Sequence, residues 1–87
     1  MITQDHTDHF TAWRELRLVA DDEPQMDQLD QIEVALLSTP PRSIPEAVNL
    51  VEIVRLNVIA GGRSDGLDAQ ALHNVGRFLS ATHSAMA

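Results

Sequence analysis

The chain contains no cysteine, so it has no thiols for a disulfide framework or a thiolate metal site. It has no tyrosine either, and its aromatic residues are Phe10, Trp13 and Phe78 alone. Three scattered rings are too few for a base-stacking platform. Lysine is also absent: all six basic residues are arginines, set against thirteen acids, for a formal net charge of −7. A surface of that sign repels phosphate backbones and anionic lipid, which argues against nucleic acid and membrane as partners. The first residues, MITQDHTDHF, carry neither a basic segment nor an apolar run, so no secretory signal is expected and the reading is a cytoplasmic protein. At 87 residues the expectation is one domain, 1–87, with residues 1–7 and 84–87 as mobile ends.

What the chain does have is one long apolar stretch, residues 43–60, SIPEAVNLVEIVRLNVIA. Its valines and isoleucines favour strands, but the order Leu50-Val51-Glu52-Ile53-Val54-Arg55-Leu56 breaks the alternation a half-buried strand requires. The start reads as a helix. Ser43 and Glu46 form the S-x-x-E pattern of a capping box, and Pro45 falls in the first turn, where no N–H is needed. Gly61-Gly62 supplies a stop. Glu46, Asn49, Glu52 and Arg55 are read as a narrow wet stripe, leaving the rest of the surface apolar and in need of cover on several sides. The stretch is shorter than the about 20 residues of a membrane span and carries Glu46, Asn49, Glu52, Arg55 and Asn57.

Three further helices are predicted around it. Residues 8–19 place Phe10, Trp13 and Leu16 on one face, with Thr7 or Asp8 as cap. Residues 23–37 begin at Asp21-Asp22-Glu23-Pro24 and end before Pro40-Pro41. Met26, Leu29, Ile32 or Glu33, and Leu36 are their inner stripe, with Asp27, Asp30, Gln31 and Glu33 largely outside. Residues 67–82 follow a glycine-rich loop, with Asp65 and Asp68 as a weaker capping box and Leu67, Ala71, Leu72, Val75, Phe78 and Leu79 on the inner face. Gly76 inside this helix is read as a point of close approach by another helix. The short connections favour antiparallel neighbours. The fold class is all-α, a small antiparallel bundle of four helices, or three with a loosely packed N-terminal one, with residues 44–60 central.

Candidate chemistry is sparse. His6 and His9 lie one turn apart beside Asp5 and Asp8, but zinc needs three or four convergent ligands and nothing elsewhere completes the set. A solvated segment is the plainer reading, and no metal or cofactor is expected. The loop Gly61-Gly62-Arg63-Ser64-Asp65-Gly66 has the glycine of a phosphate loop without its G-K-[ST]. The acids Asp21, Asp22, Glu23, Asp27, Asp30 and Glu33 could face a basic protein partner, with Asp27 and Asp30 as the contacts; a solvated helix face is the plainer account. They lack the D-x-D-x-D-G order of a calcium loop.

Two resemblances can be placed on the chain. The run His73-x-Val75-Gly76-Arg77 is similar to the neighbourhood of the reactive histidine in histidine phosphotransfer domains, themselves helical bundles. That likeness covers five residues, lacks the family's lysine and shifts its glycine. It implies that His73 accepts a phosphoryl group; an exposed surface histidine is the plainer reading. The run Pro40-Pro41-x-Ser43-Ile44-Pro45-Glu46-Ala47, with Asp65-x-x-Asp68 opening the last helix, resembles short, acidic, lysine-poor helical proteins of alphaproteobacteria over residues 30–80. It implies a small helical protein and no activity. No constellation meets the geometric requirements of an enzyme. The expected role is therefore a non-enzymatic interaction or regulatory module, a homodimer joined through Val48, Val51 and Ile59.

Overall fold

Three of the helices begin where a side chain takes an otherwise unpaired N–H group. In the computed structural model, which describes residues 6–86 of the backbone and the side chains of 8–85, four helices follow one another. They are α1 (His6–Val19), α2 (Glu23–Ser38), α3 (Ile44–Ile59) and α4 (Leu67–Met86). No strand occurs among the described residues, and the fold is all-α. No helix is long and apolar enough to cross a membrane among them. The ends expected to be mobile lie largely outside the described residues: 1–5 and 87 wholly, and 6, 7 and 86 in their side chains. Residues 84–86 continue α4, which runs past the predicted end at Thr82. Nothing in Thr82-His83-Ser84-Ala85 breaks a helix.

The starts of α2 and α3 are built alike. Asp22 Oδ1 accepts from the Gln25 amide at 2.8 Å, and Ser43 Oγ accepts from the Glu46 amide at 3.3 Å. Pro24 and Pro45 each occupy the second helical position, where the missing donor costs nothing. In both, the side chain at the third helical position reaches back to an amide before the cap: Gln25 Oε1 accepts from Asp21 and Glu46 Oε1 from Arg42. A capping box in its usual form would return to the cap residue's own N–H, so here each reciprocal bond lands one residue earlier.

The residues gather into two units, Met1–Leu36 and Leu37–Ala87. The first unit is organised on Trp13 of α1, which is fully buried, and Glu33 of α2, which is 8% exposed. The Trp13 Nε1–H donates to Glu33 Oε1 at 2.9 Å. Phe10 stacks on the Trp13 ring at 5.7 Å between centroids, and the Arg17 guanidinium lies 5.7 Å from the ring centre. Of the two places the sequence leaves open for Glu33, the inner stripe or the outside, the structure takes the first, because the buried indole N–H needs an acceptor. Leu36 is buried as expected, whereas Met26, placed on the inner stripe, is half exposed.

In the second unit α3 and α4 run antiparallel. Ile44 and Val48 line a groove with Leu79, while Asn57 Nδ2 at the other end of α3 donates to Asp68 Oδ1 at 3.0 Å. Ala47, Leu50, Ile53 and Val54 of α3 and Ala71 and Val75 of α4 are buried. The turn between them is set by α3's stop. The Gly62 amide bonds Asn57 O at 2.6 Å and the Gly61 amide bonds Val58 O at 3.1 Å, a Schellman pair that requires the positive φ of Gly61, +114°. Asp65 and Asp68 do not form the predicted capping box. Asp65 Oδ1 accepts from the Leu67 amide at 3.1 Å, and Asp68 Oδ2 accepts from the Arg63 amide at 3.0 Å, so Asp68 ties the loop rather than the helix start. The expected approach of a helix to Gly76 is also absent among the described residues: a Cβ placed there would meet nothing within 4 Å.

Candidate interaction surface

At about 100° per residue, a spacing of three residues rotates backwards by about 60° at each step. Glu46, Asn49, Glu52 and Arg55 therefore spread over about half the circumference of α3 rather than forming one stripe. The structure follows the rotation. Glu46, Asn49 and Glu52 are half-buried, and only Arg55 is exposed. This corrects the expectation that these four form the wet side.

The side of α3 most open to water is apolar. Val48 is 59% exposed, Val51 43% and Ile59 72%, with Ile44 and Val58 also exposed. The three residues singled out from the sequence, Val48, Val51 and Ile59, are thus all on the surface. Ile44 and Val58 belong with them and were missed. Ile44, Val48, Val51, Arg55 and Val58 are spaced four, three, four and three apart, which keeps them on one line of a helix. That spacing was the available signal, and the polar residues drew attention from it. Alongside the line, Ile44, Ala47, Val48, Val51 and Glu52 of α3 and Val75 and Leu79 of α4 line a shallow groove of about 220 Å³.

The one charge within the line is held locally. Arg55 Nε donates to Glu52 Oε2 at 3.2 Å, and its Nη2 bonds Glu52 Oε1. The side-chain hydrogen bond and the Coulomb attraction of Glu52 raise the Arg55 pKa above its ordinary value. The pair makes this patch nearly neutral in a chain of net charge −7.

The other candidates lie elsewhere. Glu23, Asp27 and Asp30 follow at i, i+4 and i+7 on α2 and are exposed, so they share a wet face. Asp22 works as a helix cap and Glu33 is interior, so the acidic cluster is smaller than its sequence suggests. His73 is exposed on α4 and borders a wide, shallow depression with Gly76, Arg77 and Ser80. A second depression, lined by Pro40, Pro41, Asn74, Arg77 and Phe78, adjoins it through Arg77. No group of three His, Asp or Glu side chains that could hold a metal ion occurs among the described residues, and the side chain of His6 lies outside them.

Compared with known proteins, the chain matches no family model, no curated sequence and no solved structure.

Proposed function

We propose that this protein is a small, non-enzymatic interaction module that associates with a second copy of itself through the exposed apolar side of α3. One observation carries the reading: the face of α3 most open to water is made of Ile44, Val48, Val51, Val58 and Ile59, while its carboxylates and Asn49 are half-buried. Isolated exposed apolar residues are ordinary, but a contiguous run of them along a helix and its neighbouring groove marks an interface. Arg55, the one charge within the run, is neutralised by Glu52, which lets two acidic chains approach there with less repulsion than elsewhere.

Sedimentation equilibrium from low to high micromolar concentration tests this. The expected result is a concentration-dependent dimer that Val51→Glu converts to monomer without loss of helical circular dichroism, since Val51 is not needed by the interior. A strict monomer at high micromolar concentration sinks the proposal. The shared exposed face of Glu23, Asp27 and Asp30 favours a second reading, capture of a basic protein partner. That reading fails if Asp27→Lys with Asp30→Lys leaves binding to a basic bait unchanged.

A further inference from the structure

We infer that the two copies join with their α3 helices antiparallel and staggered, Arg55 of each lying beside Glu52 of the other; this rests on the self-association proposed above. The line Ile44, Val48, Val51, Arg55, Val58 has the spacing of a coiled-coil seam, and such a seam is complementary to a second copy of itself. Three of its members, Val48, Val51 and Val58, are valines open to water, and between Val51 and Val58 sits its single charge.

That charge decides orientation. In a parallel, in-register pair each seam residue meets its own copy, so Arg55 would face Arg55 as both leave water. Like charges brought together with loss of hydration are strongly unfavourable. In an antiparallel pair the two arginines separate to either side of the two-fold axis. With Val48 set against Val58 of the other copy, Val51 stands against Arg55. Glu52 follows Val51 directly, so each Arg55 then has the other copy's Glu52 within its reach as well as its own. Two carboxylates and two guanidiniums alternate about the axis with no net charge, and the contact is isologous, so it closes as a dimer instead of growing into a chain.

Because the protein contains no cysteine, single cysteine variants report proximity without background. Val48→Cys and Val58→Cys sit at exposed positions that the interior does not use. Each is incubated alone, and then as an equimolar mixture, in a glutathione redox buffer, after sedimentation has shown that the reduced variants still associate. If association is lost, Val48→Ser and Val58→Ser are sedimented beside them, and dimers of both serine variants would return the test to the cysteine pair at lower ionic strength. The expected result is a covalent dimer from the mixture and none from either variant alone. A covalent dimer from Val58→Cys alone would mean parallel helices. No covalent dimer from a mixture that sediments as dimer would mean another register. Either result overturns the inference while leaving self-association intact. A monomeric wild-type chain would instead remove the self-association on which it rests.

Discussion

Trp13 on α1 and Glu33 on α2, twenty residues apart in sequence, meet through a 2.9 Å hydrogen bond between two buried side chains. The indole N–H has been taken out of water and the carboxylate supplies its acceptor. Hydrogen bonds to a charged group contribute about 1.5–3 kcal/mol, and a buried donor left without an acceptor costs a similar amount. Glu33→Ala is therefore expected to lower the unfolding free energy by about 2–3 kcal/mol, and Glu33→Gln, which keeps an acceptor oxygen, by clearly less. Urea denaturation followed by the fluorescence of the single tryptophan measures both. Equal losses from the two variants would show that the acceptor is not what matters.

The caps at Asp22 and Ser43 are expected to behave as a matched pair. Replacing either by Ala removes the acceptor for a third-position amide and costs about 0.5–2 kcal/mol. Gln25→Ala and Glu46→Ala remove the return bonds to Asp21 and Arg42, which are exposed amides, and should cost less. Thermal melts of the four variants would show whether this order holds for both helices.

Gly76 and Gly61 should respond to alanine in opposite directions. Gly76 lies inside α4 with open space where a Cβ would go, so Gly76→Ala is expected to stabilise by about 0.5–1 kcal/mol. For a chain of this size that raises the melting temperature by several degrees, at about 4–8 °C per kcal/mol. Gly61 holds φ +114° in the Schellman turn, and Gly61→Ala should cost about 1–3 kcal/mol through backbone strain. A destabilised Gly76→Ala variant would point to something that seats on that face of α4.

Asp65 should titrate below its ordinary value of 3.8. Its hydrogen bonds from Arg63 and then from the Leu67 amide both favour the charged form. A carboxyl whose pKa is lower in the folded chain contributes stability above its unfolded pKa. That contribution is lost as pH falls through the folded pKa, so the loop tie weakens only in acid below the ordinary carboxylate range. Carbon-detected NMR titration of the carboxyl reports the midpoint. In an Arg63→Ala variant the midpoint is expected to move back up towards the ordinary value, and an unchanged midpoint would assign the shift to another cause.

Helix starts were the most legible part of this sequence. The predicted starts at 23, 44 and 67 coincide with those observed, because Asp22, Ser43 and the Asp65-Gly66 turn each mark a place where orphan amides find a partner. The end of α4 was not legible, since a helix without a Gly or Pro ahead of it continues for as long as its backbone bonds can form. Which side of α3 faces water was also misread. Polarity suggested Glu46 to Arg55, but burial is decided by phase, and a three-residue repeat cannot hold one phase on a helix that turns about 100° per residue. Glu33 stayed undecided between the inner stripe and the outside for a different reason. A charged residue goes inside only when a particular partner waits for it, and no local pattern announces that an indole twenty residues away will be that partner. Val48, Val51 and Ile59 stood out as apolar residues in excess of what short neighbouring helices could cover, and all three are exposed.

The tetrads Asp22-Glu23-Pro24-Gln25 and Ser43-Ile44-Pro45-Glu46 have a consequence for how this chain can change over time. Each fixes where a helix opens, and with it the angular phase of every residue that follows. The closing ends are different: Thr39-Pro40-Pro41 after Ser38 and Gly61-Gly62 after the α3 end stop their helices without setting the phase of the residues before them. Lengthening or trimming at those closing ends leaves the phase of the residues already laid down untouched, whereas one residue inserted between a tetrad and its helix rotates the whole face by about 100°. Length variation among descendants of this chain should therefore collect at helix ends and in the loops beyond them, with the four-residue openings acting as the fixed origin from which each face is counted.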